Sequence, residues 1–110
     1  MNTIDVKEYD SLRISCEYQD NDGQPLSLDG IAIESTMQSL NNQYKHTLGI
    51  EMSDMALGQF VLTSDAERIL PTLYKVDVSF LESSSGARIT SETFNVNVKN
   101  AVTVPSGVSA

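Results

Sequence analysis

The sequence predicts an all-β protein, a β-sandwich of six or seven strands with one short crossover helix. Apolar and polar residues alternate with a period of two in several segments, and clusters of Gly, Asn, Asp and Ser punctuate them. No stretch carries the apolar spacing of a long amphipathic helix. At 110 residues and 12.0 kDa the chain suits one domain, residues 1–100, followed by a tail, residues 101–110.

Taken in order, Ile4 and Val6 suggest a short edge strand, and Leu12, Ile14, Cys16 and Tyr18 alternate with Arg13, Ser15, Glu17 and Gln19 in a half-buried one. Asp20-Asn21-Asp22-Gly23-Gln24-Pro25 supplies a turn, and Ile31, Ile33, Ser35 and Met37 resume the alternation. A hairpin joining those two strands is expected. Tyr44, His46, Leu48, Ile50 and Met52 mark a long third strand, and Phe60 and Leu62 centre a short one after Gly58. Ser64-Asp65-Ala66-Glu67 matches a capping box, which predicts a helix from Asp65 that Pro71 stops within about two turns. Tyr74, Val76, Val78 and Phe80 form the clearest strand, followed by the serine-rich loop Glu82–Gly86. Residues 88–99 return as the other arm of a hairpin, and the change of parity between Ile89 and Phe94 calls for a bulge or bend. The expected core is Ile14, Cys16, Ile33, Leu48, Phe60, Leu62, Tyr74, Val76, Val78, Phe94 and Val96.

Fifteen acidic residues against seven basic ones give a net charge of −8 and a pI near 4.3. That field repels phosphate backbones and anionic lipid, so neither nucleic acid nor membrane is an expected partner. Residues 1–6 carry no basic, apolar leader pattern, and no stretch approaches the roughly 18 apolar residues of a membrane helix. One cysteine and no Asn-x-Ser/Thr sequon fit synthesis in a reducing cytoplasm.

Several residues invite a chemical role, and each has a simpler one. Counting from Asp20, the glycine of Asp20-Asn21-Asp22-Gly23 falls at the fourth position, not the sixth that an EF-hand requires, and the twelfth holds no glutamate. A turn is the expectation. His46 is the only histidine and has no ligand cluster in sequence, and Cys16 lies in an apolar set where a thiol packs as a small hydrophobe. No Gly-x-Ser-x-Gly elbow accompanies the serines. Met37, Met52 and Met55 are expected to fill core gaps, and the carboxylates to form a solvated surface. No catalytic residue, metal site, cofactor or small-molecule ligand is expected.

The motifs also resemble a family. Tyr9-Asp10-Ser11-Leu12-Arg13-Ile14, the turn Asp22-Gly23-Gln24-Pro25-Leu26-Ser27-Leu28-Asp29-Gly30, Gly58-Gln59-Phe60-Val61-Leu62-Thr63 and Leu73-Tyr74-Lys75-Val76-Asp77-Val78 are similar, in order, to the immunoglobulin-like domains of bacteriophage virions. Such domains occur at the N-terminus of phage baseplate upper proteins. The turn is close to that family's Asp-x-Gly-x-Pro-x-Asp-Leu-Thr-Gly, although Ser27 stands where an aspartate is usual, and the family's second-strand tryptophan is missing. The resemblance implies an immunoglobulin-like β-sandwich and a non-enzymatic structural component of a phage particle, tail, baseplate or head-associated. It would be made in the bacterial cytoplasm, reside in the virion, and contact other virion proteins and itself as an oligomer. An immunoglobulin-like module that recognises a carbohydrate or host surface is the alternative.

The tail, residues 101–110, is uncharged and combines small and β-branched residues with a proline and a glycine. It has little with which to fold alone. Val102, Val104 and Val108 are therefore the expected partner-binding residues, laid across a neighbouring subunit by β-augmentation, with packing on their own domain as the alternative.

Overall fold

The computed structural model describes residues 3–64, 68–91 and 93–104. Eight strands run through it: β1 (Thr3–Lys7), β2 (Leu12–Glu17), β3 (Ile31–Ser39), β4 (Lys45–Asp54), β5 (Gln59–Ser64), β6 (Leu73–Glu82), β7 (Arg88–Thr90) and β8 (Phe94–Lys99). They join in one hydrogen-bonded path, β1-β8-β6-β3-β4-β5-β2, with β7 beside β6, so the molecule is all-β and close to a closed barrel. All the pairs are antiparallel except β1 with β8. The ends of the path, β1 and β2, do not pair with each other, which leaves a seam.

β4 is what makes the path continuous. Residues 45–48 pair with β3 and residues 49–54 with β5, so the chain passes from one set of strands to the other at Gly49. A Cβ there would lie 2.6 Å from Thr63 Oγ1, so a larger residue would require the threonine hydroxyl to turn away. The inward residues of both sets meet in one core of Leu12, Ile14, Leu48, Phe60, Leu62, Tyr74, Val76, Val78, Phe80, Val96 and Val98, with Leu28, Met37 and Ile69. Phe80 ties the sets together, stacked on Tyr18 at 4.4 Å and edge-to-face with Phe60 at 5.8 Å.

Most expected core positions are buried, while Cys16, Ile33 and Phe94 are partly buried against that core. Three expectations change. β2 and β3 are not neighbours: β2 pairs with β5, and the turn after it folds back as a small hairpin of its own, with Gln19 opposite Pro25. Leu28, 1% exposed, then anchors the crossing to the other strand set. The crossover helix is not found. Ser64 is the last residue of β5, opposite Leu12, and residues 68–70 are not helical; Asp65, Ala66 and Glu67 lie outside the described residues. Pro71 disfavours a helical Leu70, and the Ile69 N–H donates to the Glu8 carbonyl at 2.8 Å instead of to a helical turn. Residues 88–99 form two strands rather than one. Three residues separate Thr90 from Phe94 where two separate Ser79 from Val76, and the Val78 N–H donates to Ser91 Oγ at 2.9 Å in the gap. Ile89 consequently faces out, 55% exposed.

Candidate functional site

The strand directions gather the loops at two ends. Residues 18–30, the β4–β5 turn and the β6–β7 turn meet at one, which we term the loop end. There the Tyr18 N–H donates to the Gly58 carbonyl (2.8 Å), Leu26 N–H to the Tyr18 carbonyl (2.9 Å), Leu28 N–H to the Met55 carbonyl (2.9 Å) and Ser83 N–H to the Gly30 carbonyl (3.0 Å). Leu26, Met52, Met55 and Leu57 are exposed around it. Met37 is fully buried as expected, but Met52 and Met55 are not, because the register shift after Met52 and the tight turn lift them off the core.

At the other end one carboxylate gathers three chain segments. Glu8 follows β1 and is only 6% exposed. Its Oε2 accepts from Arg68 Nε at 2.7 Å, and its Oε1 accepts from the Ala101 N–H at 2.9 Å. Its own N–H donates to the Lys99 carbonyl at 3.0 Å. The Ala101 N–H, and then Arg68, hold the Glu8 carboxyl below its ordinary value. This overturns the expectation of uniformly solvated carboxylates. A burial this deep is tolerated because both oxygens are satisfied.

The tail leaves from that clamp. Ala101 is fixed, and the next residue, Val102, is 96% exposed. Val104 is also exposed, and Val108 lies outside the described residues.

The other residues singled out in the sequence do not come together. Asp20 Oδ1 accepts from the N–H groups of Asp22 (2.9 Å) and Gln24 (3.0 Å), so this carboxylate serves its own turn. His46 is half-buried, 6.0 Å from the Tyr74 ring in an edge contact. Cys16 is partly buried, and desolvation pushes its thiol up. Among the described residues, no three His, Cys, Asp or Glu side chains are placed to hold a metal ion. The tyrosines are dispersed: Tyr74 is fully buried with its hydroxyl donating to the Leu70 carbonyl (2.7 Å), Tyr18 stacks inside, and Tyr44 lies at the β3–β4 turn.

Beside the seam, between the end of β2 and the β7–β8 break, the surface opens as a groove of about 600 Å³. Cys16, Tyr18, Phe60, Phe80, Ile89 and Phe94 supply its apolar lining. No family model matches the chain, and no curated protein matches it.

Proposed function

We propose that this protein is a non-enzymatic structural component of a bacteriophage particle, tail, baseplate or head-associated, built as an immunoglobulin-like sandwich and acting through protein–protein contacts. The strand pairing supports the sandwich. The second and fifth strands pair in one half, the third, sixth and last in the other, as strands B, E and C, F, G do in immunoglobulin domains. The short first strand runs parallel to the last. The motif resemblance, over roughly residues 9–99, supplies the phage context.

The observation that carries the contact role is the exit of the tail. A buried carboxylate fixes Ala101, and directly after it Val102 is almost fully exposed and Val104 exposed, in a stretch of sequence that is uncharged and β-branched. Exposed valines that no strand of the described residues covers suit docking on a neighbour. The tyrosines do not share a groove of the kind a carbohydrate-binding module uses. Mass spectrometry of purified particles should find the chain at a fixed, multi-copy stoichiometry, and a chain lacking residues 102–110 should be missing from them. Particles without the chain, or with the truncated chain at full occupancy, would refute the reading.

A further inference from the structure

We propose that the groove along β2 receives the C-terminal segment of a second copy of this chain, which adds as a strand to the free edge of β2 and lays Val102 and Val104 over the groove's apolar floor. This rests on the tail-docking reading above and names the receiving surface.

The edge is open in a defined way. The Tyr18 N–H points to Gly58 on the β5 side, so alternation turns the backbone groups of Ile14 and Cys16 the same way. Those of Arg13, Ser15, Glu17 and Gln19 face outward, and no strand of the described residues pairs with them. Across the groove, β7 presents another edge. The Ser91 N–H donates to the Val78 carbonyl (2.8 Å) and the Glu82 N–H to the Ala87 carbonyl (2.9 Å), so the backbone groups of Arg88 and Thr90 also face away from β6. Between the edges lie the apolar side chains of the groove.

The tail suits this place for three reasons. It is an uncharged stretch of ten residues in a chain of net charge −8, so the part that enters the groove adds nothing to the repulsion between two acidic copies. Val102, Val104 and Val108 share one parity and therefore one strand face. Ten extended residues span about 33 Å, more than the roughly 23 Å from Arg13 to Gln19. Pro105 selects the direction. In a strand parallel to β2, residues facing the floor turn their N–H groups toward β2 and the intervening residues turn theirs away, so the missing N–H of Pro105 costs no ladder bond. A donor edge and an acceptor edge on every copy make a heterologous contact, which repeats into a ring or a row.

One short strand buries far less than the 1,200–2,000 Å² of a stable interface, so the contact is trapped rather than weighed at equilibrium. Cys16, the chain's one cysteine, lies in the groove. In full-length Val102→Cys and Val104→Cys proteins, mild oxidation under alkaline conditions, since burial raises the Cys16 thiol, should give a ladder of linked chains. Adding Cys16→Ala should reduce the ladder to dimers. Ser15→Pro removes only an outward N–H, and it should keep the melting temperature while abolishing the Cys16-dependent ladder. Dimers that ignore Cys16 would overturn the groove assignment, and an internally linked monomer would show that the tail occupies its own groove. Either result leaves the docking reading standing or falling on the particle experiment alone.

Discussion

At the loop end, main-chain hydrogen bonds between three loops do the holding, whereas at the tail end a side chain, the buried carboxylate of Glu8, collects β1, the segment after β5 and the residue that opens the tail. Main-chain bonds tolerate many sequences but demand tight backbone geometry. A buried charge tolerates little change of sequence and depends on its ionisation. The main-chain bonds that join the loops do not titrate, so that junction is vulnerable chiefly to steric change, and the tail end to loss of charge.

The largest effect is expected from Gly58→Ala. Gly58 has φ of 70°, and a Cβ there would run into the carbonyl oxygens of Leu26 and Tyr18, which belong to backbone already committed to the loop-end bonds. Left-handed strain together with that clash should cost about 2–4 kcal/mol. A denaturant melt measures it, with the deficit the same at pH 7 and at low pH. A loss below about 0.5 kcal/mol would mean that the loops yield easily and that the contrast between the ends is false.

Glu8→Gln should act on the other end and only in part of the pH range. The folded carboxyl sits below its ordinary value of 4.5, so its stabilisation is fully present above that value and is lost as pH falls through the lower folded value. At pH 7 the variant should melt below the wild type. Under acid the two curves should converge, because the wild-type carboxyl is then protonated as well. A gap that persists undiminished at low pH would assign the loss to shape rather than charge.

These ends also mark how far the sequence was legible. Alternation located the main strands because inward and outward faces differ at each step, as in Tyr74, Val76, Val78 and Phe80, and the parity change before Phe94 announced the break between β7 and β8. Leu28 and Ile69 carried no such signal, since each lies in a short aperiodic segment close to a leucine, Leu26 or Leu70, that is not buried. Ser64-x-x-Glu67 resembled a cap, although the serine is held by pairing of β5 with β2. The site was less legible still. Glu8 and Arg68 are sixty residues apart, and Ala101 contributes only its backbone, so no spacing points to the clamp. The tail's composition marked Val102 and Val104 as sticky, but only the strand order exposes the seam that could receive them.

The smallest stability effect is expected where the clamp stops. Ala101 donates to Glu8, and Val102 beyond it is almost wholly solvated, so the boundary between fold and tail falls between adjacent residues. Deleting residues 102–110 retains the Ala101 N–H and should change stability by less than about 0.5 kcal/mol, as surface changes do. Deleting one residue more removes the donor and leaves Oε1 of a buried carboxylate without it. The shorter chain should then melt lower at pH 7 and show the acid convergence of Glu8→Gln. Two truncations that differ by one alanine thus separate a tail that belongs to the domain from one that only departs from it: equal melting of both would remove the clamp, and a large loss on deleting 102–110 would place the valines in the protein's own core.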